Sequence, residues 1–470
     1  MNIENLMDIE EYNMDDTISE TTIDSIPFEL SESENTELEI TIHELLYEKF
    51  DKGNDDILTI SKPDFHTNLV HEISELFFET WKDIGICNDD DYEDIYEYVF
   101  SCIDTFFEMY ENIIPHRSSF GTTTDIFSSS SPADKINNQI EIVRNTYQPP
   151  QRTLEWYEYR HNLMTASNLW KIFSSDAQRN SLIYEKCKPF DPFQSDKTNW
   201  HAGGAMHWGT VYETVSVQLY EIMYHTTVED FGCIQHPEYA CIGASPDGIN
   251  TNPLSNRYGR MIEVKNIVNR EITGIPKEEY WIQMQLQMET CNLNECDFIE
   301  TRFKEYDNEE DFYNDQMKDS DSGSDIHKWR GVILCFVERN VPNSKPTYKY
   351  MPLDVPIDKN TVDYWISNVK DDVREQLVLY TVKYWYLDEF SCVLVRRNRL
   401  WFETALPKIL DTWNTILKER ETGYEHRMAK KRETNSEKQT TIVSKQDNNN
   451  HVIHNLPSTN NICLIKLDGL

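Results

Sequence analysis

One stretch limits what this chain can become more than any other: Gly243-Ala-Ser-Pro-Asp-Gly-Ile249, a polar loop, then Arg260-Met-Ile-Glu-Val-Lys265. In Pro246-Asp247-Gly248 the proline presets the backbone for a turn and the glycine tolerates positive φ, which puts Asp247 on a sharp corner. Met261 to Val268 is a short apolar run that reads as a strand. Residues two apart on a strand share a face, so Glu263 and Lys265 point the same way, on either side of Val264. A corner with one carboxylate, followed by a strand with a second carboxylate and an ammonium, can hold a hard divalent cation beside a proton-handling amine. Carboxylate oxygens suit Mg²⁺, which keeps open positions for water and phosphate. That is equipment for metal-assisted phosphodiester hydrolysis. Each half alone is common: Pro-Asp-Gly is most often a plain turn, and Glu-x-Lys an ion pair on a solvated strand. Their succession, with the flanking elements below, selects the catalytic reading.

The chain of 470 residues has room for two or three domains, and 39% hydrophobic with 12% aromatic residues supports substantial cores. No apolar run reaches the roughly eighteen residues of a transmembrane helix. The N-terminus, Met-Asn-Ile-Glu-Asn-Leu-Met-Asp, lacks a signal-peptide pattern. Ten cysteines are scattered without CxxC pairs, as expected of reduced thiols in an intracellular protein, and no group of four could hold an iron–sulfur cluster. The net charge of −38 argues at first against nucleic acid. Its distribution weakens that objection. Residues 1–120 hold 32 acids against 5 bases, and residues 305–325 hold nine acids against Lys318. The rest is close to neutral and leaves room for a local basic groove.

Composition divides the chain. Residues 1–38 read as a disordered acidic tail. Three amphipathic stripes follow, through Ile42, Leu45, Leu46 and Phe50, then Leu69 to Trp81, then Tyr92 to Ile113. They predict an acidic helical domain over 40–115, read as a packed bundle with a solvated acidic face in preference to a DNA-mimicking module. Residues 116–147 read as a Ser/Thr-rich linker ending in a short helix. Residues 1–130 are therefore expected to be removable. Residues 148–422 form the catalytic domain, with an acidic insertion near 305–325, and residues 423–470 read as a disordered tail.

Within the catalytic domain, Thr165 or Ser167 can cap a helix carrying Leu169, Trp170 and Phe173. Arg160 could bring a guanidinium to an anion at that helix start, although an ordinary cap with a surface arginine has the same pattern. Residues 205–224 read as a helix carrying Glu213, residues 231–242 as a strand, and 276–288 as a helix whose Gln283, Gln285 and Gln287 sit among large apolar residues. Residues 331–339 form a buried-strand candidate, 361–380 read as helical, and 401–417 as a last amphipathic helix.

Taken in order, Arg160…Thr165-Ala-Ser167, Trp208-Gly-Thr-x-x-Glu213, Ser245-Pro-Asp247-Gly, Glu263-Val-Lys265 and Tyr280-Trp-Ile-Gln-Met-Gln285 resemble the lambda-exonuclease and YqaJ-like viral recombinase family, within the restriction-endonuclease-like PD-(D/E)xK superfamily. The resemblance covers roughly residues 150–300 and excludes residues 1–145. It implies an α/β fold, a mixed sheet flanked by helices. It implies Mg²⁺ or Mn²⁺ on Asp247, Glu263 and the Val264 carbonyl, with Lys265 orienting or deprotonating the attacking water. Glu213 would support the metal, Gln285 would steer the water, and Arg160 with Ser167 would hold a 5′-terminal phosphate. The implied activity is a DNA exonuclease, 5′→3′ on duplex ends, in viral or phage recombination or replication. The implied partners are DNA and a single-strand annealing protein, with an oligomer compatible with the family. The implied location is the cytoplasm, host cytoplasm or viral factory for a viral chain, with no membrane. A structure-specific endonuclease and a non-catalytic DNA-end-binding scaffold are the alternatives. Intact Asp247, Glu263 and Lys265 speak against the scaffold.

Overall fold

A computed structural model describes residues 30–51, 54–118, 133–150, 153–191, 205–315, 329–341 and 344–428. The segments expected to be disordered at 1–29 and 429–470, most of the Ser-rich stretch, and residues 316–328 of the acidic insertion lie outside the described residues.

The N-terminal region is helical, as the stripes predict. Helix α1 (Glu32–Lys49) begins inside the expected tail because Ser31 and Glu34 cap it reciprocally. The Ser31 amide donates to the Glu34 carboxylate at 2.8 Å, and the Glu34 amide donates to Ser31 Oγ at 3.3 Å. Helices α2 (Phe65–Asp83) and α3 (Tyr92–Met109) bury Leu69, Val70 and Ile73, and Ile95, Val99, Ile103 and Phe106. Leu76 and Ile113, expected on these stripes, face solvent instead. Helix α4 (Ala133–Asn145) is the short helix expected before Pro149-Pro150, and it buries Ile136, Ile140 and Val143.

These helices do not close a core of their own. Their buried residues belong to one continuous hydrophobic cluster with Met164, Ile242, Trp281, Leu286 and Trp401 of the following region. An apolar helix face must bury against something, and here part of that surface belongs to the rest of the chain.

The region 154–422 contains a mixed sheet with helices on both faces. Its elements are α5 (Leu154–His161), β1 (Met164–Thr165), α6 (Ala166–Leu169), α7 (Asp176–Cys187), α8 (Ala205–Met223), β2 (Val228–Glu229), β3 (Ile234–Gln235), β4 (Ile242–Ala244), β5 (Gly248–Asn250), β6 (Met261–Asn266), α9 (Glu278–Cys291), β7 (Glu295–Glu305), α10 (Glu309–Asn314), β8 (Arg330–Glu338), β9 (Thr347–Tyr350), α11 (Lys359–Val373), β10 (Leu377–Arg396) and α12 (Arg399–Thr422). The larger sheet runs in the order β2-β5-β6-β7-β10-β8-β9, and a smaller one in the order β1-β4-β3. Strands β6 and β7 are parallel, with Glu263 opposite Phe298 and Lys265 opposite Glu300. Parallel neighbours need a crossover, and α9 supplies it. The even-numbered residues of β6 face α8, where Tyr220, Ile262, Val264 and Ile299 pack together. The odd-numbered residues face α9, where Tyr280 stacks on Phe298.

Two expectations fail here. Residues 231–242 form a β3–β4 hairpin rather than one strand, because His236 Nδ1 accepts from the amides of Glu238 and Tyr239, both at 3.1 Å, and closes a turn. The helix expected over 361–380 stops at Val373, and β10 begins at Leu377. This strand lies between β7 and β8, with register shifts at Leu379/Thr381 and Leu387/Glu389. Most of its residues are half-buried on both faces, so no clean alternation marks it in the sequence.

Candidate active site

The Ser245-Pro-Asp corner joins β4 to β5. Gly248 is needed there for space and not for positive φ, since it already lies in β5 and a Cβ would collide with Val228. The corner turns Asp247 onto β6, where its Oδ2 accepts from the Val264 amide at 2.8 Å. That amide sits between Glu263 and Lys265, so one hydrogen bond brings the corner and the strand together. Glu263 is fully buried, and Lys265 Nζ pairs with its Oε1. The other carboxylate oxygen of Glu263 accepts from Gln287 Nε2 at 2.8 Å. Gln287 also donates to the Ser245 carbonyl at 3.2 Å, which ties α9 to the corner. The Tyr280 ring lies 4.9 Å from Lys265 Nζ.

The electrostatics follow from crowding carboxylates in a low-dielectric place. Burial first, then the Glu263 carboxylate, holds the Asp247 carboxyl well above the usual carboxylate range, against the pull of Lys265. Glu213, on α8, adds a further negative charge to the field at Asp247 although its side chain is largely exposed. Burial alone would lower the Lys265 ammonium. Glu263 and Asp247 outweigh it and hold the amine above its ordinary value. Two carboxylates in mutual repulsion are relieved by a divalent cation, and the donor chemistry here fits one. Among the described residues no group of three or more His, Cys, Asp or Glu side chains is gathered to hold a metal.

Gln285 is not part of this cluster. Its Nε2 donates to the Arg396 carbonyl at 2.9 Å, and its Oε1 accepts from the Asn398 amide at 2.7 Å. It anchors the start of α12, and Gln287 is the glutamine that touches Glu263. Residues two apart on a helix point about 200° from each other, so only one of them can face β6.

Arg160 reaches the corner from α5. Its Nη1 donates to Ser245 Oγ at 3.2 Å, and its guanidinium lies 4.5 Å from the Trp156 ring centre. Lys186, buried on α7, donates to the Arg160 carbonyl at 2.8 Å, and burial pushes its amine down to about 8. Thr165 and Ser167 stand beside β4, since β1 pairs with it in parallel and sets Thr165 opposite Gly243. Thr165 occupies the N-cap position, but its side chain makes no cap hydrogen bond. The exposed Ser167 lies one residue into the helix, with its hydroxyl 3.4 Å from Thr165 Oγ1. The expected helix through Phe173 is a single α-turn followed by a 3₁₀ turn over 170–172, too short to contribute much macrodipole. Ser245 and Gln287 touch the cluster and are not among the site residues expected from sequence. The position of Ser245 beside Asp247 was the available signal.

Comparison with known proteins places this region. An uncharacterised protein of Acanthamoeba polyphaga mimivirus is 26% identical over 339 residues, spanning 66% of this chain and 59% of that protein. An alkaline exonuclease from Laribacter hongkongensis is 20% identical, with a TM-score of 0.31 over 62% of this chain and all of that one. A phage-related exonuclease from Haemophilus somnus is 12% identical, with a TM-score of 0.27 over 55% of this chain and 96% of that one. Similarity at those TM-scores carries no weight for function. Residues 155–294, which include the Asp247–Glu263–Lys265 cluster, match the model of the YqaJ-like viral recombinase domain.

Proposed function

We propose that this chain is a Mg²⁺- or Mn²⁺-dependent deoxyribonuclease that degrades duplex DNA from its ends, with 5′→3′ polarity, in recombination or replication of viral or phage DNA. One observation carries the reading: Asp247 on its corner and Glu263 and Lys265 on β6 are joined through the Val264 amide into one cluster. Asp247, Glu263 and the Val264 carbonyl would hold the metal, with Glu213 strengthening the negative field. A bound divalent ion supplies Lewis-acid activation of water and neutralises charge developing on the phosphodiester.

The side chains do the rest. Lys265 would orient or deprotonate the attacking water beside the phosphodiester. Gln287 fixes the Glu263 carboxylate in one orientation. Arg160 and the hydroxyls of Ser167 and Ser245 offer charge-assisted hydrogen bonds to a terminal phosphate beside the cluster. That arrangement favours cleavage from an end over internal cleavage. Purified protein on linear, nicked and circular duplexes, with and without Mg²⁺, tests the reading. Mg²⁺-dependent loss of linear DNA alone, abolished by Asp247→Asn, is expected. Cleavage of closed circles would establish an endonuclease, and end binding without cleavage a scaffold.

A further inference from the structure

The N-terminal helices lie outside the matched domain, yet they are fastened to the element that carries Gln287. The fastening runs through Arg117, a side chain only 2% exposed. Its guanidinium donates to the Ser61 carbonyl through Nη2 at 2.9 Å and Nε at 3.2 Å, on the helical side. The same Nη2 donates to the carbonyl of Pro276, on the entry to α9. The Arg117 carbonyl in turn accepts from the indole N–H of Trp281, in the first turn of α9, at 2.8 Å. Ser61 Oγ donates to Glu278, the first residue of α9, at 2.9 Å. Three of these bonds, to Pro276, Glu278 and Trp281, meet at one end of one helix. The same turn carries Tyr280, against Lys265, and further along the helix stands Gln287, bonded to Glu263.

We infer that Arg117 is a positioning residue for the catalytic cluster, and that the acidic helical region is a working part of the nuclease because it clamps the N-terminus of α9. This rests on the nuclease reading of the Asp247–Glu263–Lys265 site. The physical reason is leverage. Helix α9 is a rigid rod, so its pitch at Pro276–Trp281 fixes where Gln287 meets Glu263. A carbonyl held by a buried guanidinium is a stiff attachment because the guanidinium has few other partners to turn to. Burial pushes the Arg117 guanidinium down only to about 10, so it stays charged at neutral pH.

Arg117→Met, Arg117→Lys and Trp281→Phe, made in the full chain, test the clamp. Trp281→Phe keeps the ring packing and removes one hydrogen bond, so it decides the matter even if Arg117→Met does not fold. Amide hydrogen exchange across 278–288 should speed up in Arg117→Met and Trp281→Phe, while 295–305 keeps wild-type protection. The kcat on linear duplex should fall about tenfold in Arg117→Met, with metal-free DNA affinity unchanged, and Arg117→Lys should recover part of it. Wild-type protection of α9 in both variants would overturn the clamp. So would a parallel loss of rate, DNA affinity and protection over 295–305, which is what a merely structural arginine predicts. If the wild-type chain cleaves no DNA, the nuclease reading fails by itself, and the exchange measurement still decides whether Arg117 holds α9.

Discussion

Replacing Gln287 by methionine removes one polar group from the site at nearly constant volume. The side chain is fully buried, and its Nε2 donates to Glu263 at 2.8 Å and to the Ser245 carbonyl at 3.2 Å. A hydrogen bond to a charged group contributes about 1.5–3 kcal/mol. If that bond holds Glu263 in its reactive orientation, its loss appears in the barrier, where about 1.4 kcal/mol is a factor of ten. Gln287→Met should therefore lower kcat on linear duplex by about 10- to 100-fold. Gln285→Met is the internal control. It removes the bonds to the Arg396 carbonyl and the Asn398 amide, and an unpartnered buried amide costs about 1–3 kcal/mol of stability. It should lower the urea midpoint and leave kcat near wild type at a temperature where the variant is folded. Single-turnover rates and urea unfolding of both variants make the comparison. A Gln285→Met rate loss with Gln287→Met at wild-type rate would refute the assignment and restore the sequence-based choice of Gln285.

Three further outcomes are expected. Wild-type protein should degrade 5′-phosphorylated duplex faster than 5′-hydroxyl duplex, and Arg160→Ala should shrink that difference without changing metal dependence; equal initial rates on both ends in the wild type would remove the phosphate pocket. His66 is pushed down to about 3 by burial, then by His116 and Arg117, from an ordinary value of 6.5. Between those values the unfolded chain binds the extra proton, so stability fully present above pH 6.5 is lost as pH falls, at up to about 1.4 kcal/mol per pH unit. Urea midpoints from about pH 7 to about pH 5 should show a steeper decline in wild type than in His66→Gln, and identical slopes would refute the assignment. Deleting residues 1–117 should give a poorly soluble, dye-binding protein, because it uncovers the Trp281–Trp401 end of the shared cluster; a soluble fragment with full activity would vindicate the removable domain expected from composition.

The sequence by itself determined the class of the fold and which side chains the corner and β6 carry. Pro246-Asp247-Gly248 and Glu263-Val-Lys265 are local patterns, and a corner and a period-two strand place their side chains without help from distant residues. The amphipathic helices were legible for the same reason: a stripe at helical spacing has few other uses. Choices between near-equivalent residues were not legible. Gln285 and Gln287 have the same chemistry on one helix, and only the docking of α9 against β6 decides which one meets Glu263. Strand β10 was hidden because both its faces are half-buried, so burial by neighbouring elements, not local alternation, makes it a strand. The contacts of the acidic region with the rest of the chain were not legible, because composition marks where polar chain lies and not what a buried residue touches. Arg117, one cation in a strongly acidic stretch, looked like part of a linker. Its three carbonyl bonds to Ser61 and Pro276 span 56 and 159 residues of sequence, and only tertiary structure closes loops of that length.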